Sequence, residues 1–289
     1  MPQTDSTAWY NAQVRKKKRR RRIRISRIAL LVSIIILLVM LARMLFSEEQ
    51  KTSSETPAAI PDPIWRNDYD WSSLREQDGH LKFEDEFYTS KFGIDVSFHQ
   101  QEIDWQKVAA DGVEFAFIRA GYRGYETGGL HTDDYFAANM DGASAAGIET
   151  DVYWFSQAVN TEEAEEEAAY VLNLISPYTV GTVAFDMETV SDHDRIRNLT
   201  AEEKTAIAAA FCRVIREAGY SVLVYGSDSW MYTSIHMEDL QEEVNFWLAG
   251  YGEDYPDFIY TFTIWQYSST GKIDGIEKDC DLNLWLVPK

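Results

Sequence analysis

The chain has 289 residues, with 27 Lys plus Arg against 47 Asp plus Glu, a net charge of −20, 45% hydrophobic residues and 13% aromatic residues. That length serves one large domain or two small ones, and so much aromatic content excludes a wholly disordered protein. The charge is uneven: residues 1–47 hold eleven basic residues and one acid, Asp5, for +10, which leaves −30 for the rest and argues against nucleic acid or anionic lipid as its main partner.

Ile28 to Phe46 reads IALLVSIIILLVMLARMLF, nineteen residues whose only charge is Arg43. A bilayer core about 30 Å thick needs roughly 20 residues of helix, so this run predicts a single transmembrane helix. A core helix would show polar positions every third or fourth residue. A cleaved signal peptide would have a shorter apolar run and a small-x-small site, so an uncleaved signal anchor is expected. The cluster RKKKRRRRIRISR before it stays on the cytoplasmic side and everything after Phe46 is exported. Read alone, the cluster could suggest nucleic-acid binding. Its place beside the span makes topology the better explanation, so the partners expected are the membrane, through one helix, and no nucleic acid. Residues 1–27 therefore read as a basic cytoplasmic tail, 28–46 as the anchor, and 47–63 (SEEQKTSSETPAAIPDP) as a solvated linker. The localisation expected is a single-pass cell-membrane protein with a cytoplasmic N-terminus and an extracellular C-terminal domain. Residues 64–90 carry Trp65, Tyr69, Trp71, Phe83, Phe87 and Tyr88, too many aromatics for a free stalk. With Asp78-Gly79 as a hairpin turn, they read as a small extension packed on the main domain.

From Lys91 to Lys289 strand-like and helix-like stretches alternate, the signature of a parallel α/β architecture. Strands are predicted at 92–97, 113–120, 149–155, 182–188, 220–225, 245–249, 261–266 and near 281–285. Helices are predicted at 104–110, 133–146, 161–175 and 200–218, with a weaker one within 227–243. The fourth helix opens on a capping box, Thr200-Ala-Glu-Glu203, and closes at Gly219. No helix fits after Ala249, where the segments are short and turn-rich. A full eight-helix barrel takes about 250 residues, so the expectation is a closed, TIM-like barrel of eight strands and five helices whose last three strands follow one another directly. An open doubly wound sheet is the rival, weakened by the missing phosphate-loop pattern after the first strand. Cys212 and Cys280 lack zinc-type spacing; outside a cell they could pair, although Cys212 sits in an apolar helical run that suits a plain buried thiol.

In such barrels chemistry sits at the C-terminal ends of the strands. Four acids fall there: Asp95 ends FGID, Asp186 and Glu188 end TVAFDME, and Asp281 precedes LNLWLV. Alternate strand residues share a face, so Asp186 and Glu188 are expected to point into the mouth while Met187 faces the helices. Carboxylates held that close cannot all ionise easily, and one should keep a proton near neutral pH, as a general acid requires. A D-x-E in a polar loop would be unremarkable among 47 acids, but a charge closing an apolar strand is costly without a purpose. Aromatics accompany the acids, and sugar rings stack their C–H faces on such side chains. Tyr122, Tyr153, Tyr225 and Trp265 are the first candidates for a glycan cleft, with Tyr251 and His99 beside them; core packing explains many aromatics equally well. No H-E-x-x-H, G-x-S-x-G or G-x-x-x-x-G-K-[ST] pattern occurs and the five histidines are scattered, so no metal and no cofactor is expected. GYRGYETGG reads as a flexible lip, and Asp192-His193-Asp194 as a solvated turn.

FGIDVSFHQQEIDW, VEFAFIRAGYRGY, YWFSQAVNTEEAEEEA, VAFDMET, VLVYGS, FWLAGY, IWQYSSTGKIDGI and DLN resemble, in order, the blocks of the glycoside hydrolase family 25 lysozymes, the Chalaropsis-type muramidases. The resemblance covers about Phe92 to Trp285. It implies a barrel of eight strands and five helices that cuts the β-1,4 bond between N-acetylmuramic acid and N-acetylglucosamine in peptidoglycan glycan strands. It also implies that Glu188 is the proton donor, with Asp186 its neighbouring carboxylate and Asp95 and Asp281 the acids of the first and last strands. It leans toward assistance from the substrate's own acetamido group. One departure stands out: where the family often has a glycine after His99-Gln100, this chain has Gln101. A monomeric catalytic domain is expected. The rival readings are a glycan-binding module that lost turnover and a hydrolase of another acetamido-sugar polymer.

Overall fold

The computed structural model describes residues 65–289. The proposed tail, membrane span and linker lie outside the described residues, among which no helix is long and apolar enough to cross a membrane. The first two strands of the described residues form a hairpin, β1 (Leu74–Gln77) and β2 (His80–Phe83). Asp78 (φ 54) and Gly79 (φ 86) form its two-residue turn, and Asp and Gly are residue types that tolerate these positive angles.

Eight strands then close a barrel: β3 (Tyr88–Val96), β4 (Phe115–Arg123), β6 (Glu149–Phe155), β7 (Thr182–Asp186), β8 (Ser221–Ser227), β9 (Asn245–Ala249), β10 (Ile264–Gly271) and β11 (Cys280–Pro288). The pairing of β3 with β4 completes the circle, and the short β5 (Leu130–Thr132) adds to the end of β4. Strands β3 to β10 of the barrel run parallel, whereas β11 is antiparallel to both neighbours, β10 and β3. The first residues of β11 therefore lie level with the last residues of β3, Asp281 opposite Asp95.

The described residues hold five α-helices: α1 (Trp105–Ala110), α2 (Phe136–Ala145), α3 (Thr161–Ile175), α4 (Ala201–Glu217) and α5 (Asp228–Thr233). Asn160 caps α3 by accepting from Glu163 N, and the Thr200–Glu203 capping box opens α4. Gly219 (φ 97) ends α4 in the left-handed conformation that a side chain would strain. The last three strands follow one another without an α-helix, as the sequence predicts.

Side chains alternate between two cores. Phe115, Phe117, Ala184, Leu223, Trp247 and Ile264 fill the barrel. Their neighbours, among them Ala116, Ile118, Val183, Phe185, Phe246 and Trp265, pack outward. Gly93 leaves room for the Phe115 ring, which a Cβ at 93 would meet at 2.4 Å. Truncating Phe117 to alanine would cost about 3–5 kcal/mol, the usual range for a filled aromatic site.

On the side without helices, residues from the N-terminal extension cover the sheet. Trp71 stacks on Phe262 at 6.1 Å and meets Trp265 edge-on at 5.9 Å, while the Tyr69 hydroxyl donates to the Phe262 carbonyl. Trp65 lies at the barrel base, beside Asn245 and Thr263, where β9 and β10 begin. Lys289, past the end of β11, donates its backbone N–H to Phe87 at the same end. Cys212 and Cys280 are separate, buried thiols.

Candidate active site

The inward positions of the strands change from apolar to polar at the mouth. Asp95 is the next-to-last residue of β3, Asp186 the last of β7, and Asp281 the second of the reversed β11. Glu188 lies two residues beyond β7, so the strand predicted to run through 188 stops earlier, but Met187 still turns outward into the helix-side core. The four acids line one pocket of about 240 Å³ with Tyr153, Tyr225, Trp247, Tyr251 and Gln266.

Two amides organise the pocket around Asp95. Gln266 Nε2 donates to Asp95 Oδ2 at 2.7 Å, and Asn283 Nδ2 donates to the same oxygen at 2.8 Å. Each amide is oriented from its other end. Gln266 Oε1 accepts from the Tyr225 hydroxyl at 2.8 Å and from the Tyr251 hydroxyl, while Asn283 Oδ1 accepts from Trp247 Nε1 at 2.9 Å. Asp186 Oδ1, by contrast, is buried with no hydrogen-bond partner among the described residues.

Burial and crowding hold protons on these groups. Burial lifts the Asp95 carboxyl to about 6 against the pull of its two amide donors. Burial lifts Asp186 well above the ordinary carboxyl range, helped by Glu188 and Asp95 and opposed by Arg119. Burial, then the nearby Asp95, raises Glu188. Asp281 is pushed up to about 8 by burial, Asp95 and Glu188. Arg119 reaches the same end of the barrel. It is paired with buried Asp133 through Nε at 2.8 Å and lies over the rings of Phe98 and Tyr122.

Of the predicted cleft aromatics, Tyr153, Tyr225 and Tyr251 line the pocket. Trp265 does not: it is 1% exposed on the outward face, with Nε1 donating to Gly250 O, because its neighbour Gln266 takes the inward position. Tyr122 lies outside the pocket, its ring stacked on His131 at 5.0 Å. His99 also lies outside it, packed on Phe98 at 4.0 Å, with burial and then Arg119 lowering its pKa. Gln101, where the resembled family often has glycine, adopts φ 62, a left-handed value that favours glycine. The sequence places Trp247 among the aromatics near the acids without ranking it first for the cleft, and it does not point to Gln266, Asn283 or Arg119. Their signal was available for the amides: Gln266 is a polar residue inside an apolar strand, and Asn283 shares a face with Asp281 two positions away.

A closed barrel with proton-holding carboxyls at one mouth is arranged for acid–base chemistry. Residues 94–276, more than half of the chain, match the model of glycosyl hydrolases family 25, and the chain belongs to that family. Lysozyme M1 of Streptomyces globisporus is 28% identical over 200 residues, 66% of this chain and 66% of that protein. The autolytic lysozyme of Clostridium acetobutylicum is 26% identical over 195 residues, 66% of this chain and 54% of that protein. Among solved structures, the modular autolysin LytC from Streptococcus pneumoniae, in complex with a synthetic peptidoglycan ligand, superposes with a TM-score of 0.61 at 26% identity, covering 74% of this chain and 52% of that one. The bacterial lysozyme from Streptomyces coelicolor gives 0.55 at 27% identity, covering 67% of this chain and 90% of that one. This chain thus spans about half the length of the autolytic lysozyme and of LytC.

Proposed function

We propose that this chain is a membrane-anchored muramidase that hydrolyses the β-1,4 bond between N-acetylmuramic acid and N-acetylglucosamine in peptidoglycan, on wall close to the membrane. The observation that carries the reading is the cluster of Asp95, Asp186, Glu188 and Asp281 in one pocket, all held toward their protonated forms. Glu188 is the proton donor. It is only partly buried and sits where the acid pocket joins a second hollow of about 290 Å³, which also borders Tyr225 and Tyr251. A glycan crossing both hollows brings its bridging oxygen to Glu188, and sugar faces stack on the tyrosines.

As the bond to the leaving oxygen breaks, Glu188 gives up its proton and positive charge develops on the sugar ring. Asp186, its own proton having left to solvent water, stabilises the charge, and a water molecule then adds to the sugar carbon and returns a proton to the Glu188 carboxylate. Asp95, kept in place by Gln266 and Asn283, supplies the negative neighbour that keeps the Glu188 proton on until substrate arrives. Asp281 adds to that effect from the reversed strand.

The anchor belongs to the same proposal. A domain of charge −30 meets an anionic wall poorly at low salt, and a tether supplies the encounter that charge withholds. A flexible linker spans about 5–6 Å × √n for n residues, which keeps the domain within tens of ångströms of the bilayer.

The test is release of reducing ends from purified peptidoglycan by the full-length chain, with product masses to identify the bond cut. Binding without new reducing ends would leave a glycan-binding module instead. Masses from a different acetamido-sugar polymer would change the substrate. Membrane fractionation of cells expressing the chain tests the anchor, which recovery in the soluble fraction would refute.

A further inference from the structure

Glu188 lies two residues past the last ladder position of β7, so the sheet does not fix it. What holds it is the strap that follows β6. Ser156 N donates to Asp186 O at 2.7 Å, and Gln157 Nε2 donates to the Glu188 carbonyl at 2.8 Å. Gln157 is fully buried, and its Oε1 has no partner among the described residues. A side chain serving packing alone would be apolar, because a buried amide with one end idle is costly. The idle end marks Gln157 as a residue kept for its donor.

Gln157 is held in turn. Its carbonyl accepts from Arg195 Nη1 at 3.0 Å, and Arg195 forks onto Glu163 of α3, with Nη2 to Oε1 at 2.7 Å and Nη1 to Oε2 at 3.0 Å. The Arg195 backbone N–H donates to Tyr125 O, in the glycine-rich lip that connects β4 and β5. Arg123 closes the circuit, donating to the carbonyls of Glu163 at 3.0 Å and of Gly128, also in the lip, at 2.7 Å.

We infer that Gln157 and Arg195 are positioning residues for hydrolysis: through the Glu188 backbone carbonyl they set where its carboxyl stands in the pocket, and the lip anchors them. This rests on Glu188 being the proton donor. A displacement of about 1 Å at a reacting group can cost on the order of a hundredfold in rate, so the clamp matters although it touches no substrate.

The experiment uses the full-length chain and a soluble glycan of alternating N-acetylglucosamine and N-acetylmuramic acid, with pH–rate profiles for Gln157→Met, Arg195→Met and Arg195→Lys. Gln157→Met keeps length and volume and removes the donor. It should lower kcat at least about tenfold with KM within about twofold. Its alkaline limb should move to lower pH, because a loosened Glu188 gains water. It also shifts against the groups facing it: Asp95 on β3, Asp186 on β7, Tyr225 on β8, Tyr251 after β9 and Asp281 on β11. Arg195→Met should shift both readouts the same way by less, and Arg195→Lys should recover part of the loss. Arg213→Met, which removes an exposed arginine paired with Glu165 and Glu217, should leave both unchanged. If Gln157→Met does not fold, Arg195→Met decides alone. Wild-type kcat in the folded variants overturns the inference, and so does a lower kcat with an unmoved alkaline limb, which marks lost folded protein. Full activity in Glu188→Gln would instead overturn the donor assignment, so the two failures are distinguishable.

Discussion

Asp151 and Asp186 are buried aspartates on neighbouring strands, 1% and 6% exposed, near opposite ends of the barrel wall. At the base, Asp151 Oδ1 accepts backbone N–H groups from Gly181 at 3.0 Å and Thr182 at 2.7 Å, tying the start of β7 to β6. Burial pushes its carboxyl up to about 6 while those two amides pull it down. At the mouth, Asp186 has carboxyl neighbours in place of amides and rises well above the ordinary range. Burial raises both, so burial alone does not mark a reactive acid. The neighbours do: the two backbone amides make Asp151 a structural tie, and the other acids around Asp186 make a proton store.

The sharpest way to break that contrast is Glu188→Gln at the mouth. It should lower reducing-end release at least about a hundredfold, the usual scale for a general acid, and near-normal release would refute its role. Asp186→Asn should lower activity by about tenfold to a hundredfold, on the scale of one lost charge-stabilising group, while leaving the melting temperature near neutral pH little changed, because an amide replaces a carboxyl that already holds its proton. A drop in both activity and melting temperature would place Asp186 with the structural ties.

Stability against pH separates the two ends further. Asp281 binds its proton up to about 8 when folded, against about 3.9 in an unfolded chain. The folded protein therefore holds the extra proton between those values. Its stability contribution is full below about pH 4, declines as pH rises through the interval, and is lost by about 8. Asp151 loses its own share by about pH 6. Burial also lifts Glu167 of α3, outside the pocket, to about 7, so a fall in melting temperature between pH 7 and 8 reports the mouth, and Asp281→Asn should lessen it. An unchanged slope in that variant would remove Asp281 from the explanation and leave Asp186 and Glu188. The smallest effect is at the base. Asp151→Ala should cost about 1–3 kcal/mol in denaturant unfolding, through its two orphaned amides, with kcat unchanged.

The barrel was legible in the sequence because hydrophobic runs and capping signals alternate in the right order and because nothing after Ala249 could form a helix. The direction of β11 was not. A short strand after a turn-rich segment reads alike in either sense, and only the pairing of Asp281 with Asp95 shows the reversal. The acids were legible as charges closing apolar strands. The cleft aromatics were only half legible, because strands covered on both faces give no polar–apolar alternation to tell inward from outward. That is why Trp265 was placed in the cleft and Trp247 was not. Gln266 would have corrected it, since a polar residue in that strand fixes which parity faces the mouth. The clamp on Glu188 was not legible at all: Gln157 and Arg195 are far apart in sequence and meet only through the fold.

The reversal of the final strand also settles where the molecule can be held. Lys289 sits at the base, so a handle fused after it departs from the face opposite the acids. Coupling the protein to a bead through its C-terminus should therefore leave digestion of a soluble glycan as fast as in free solution.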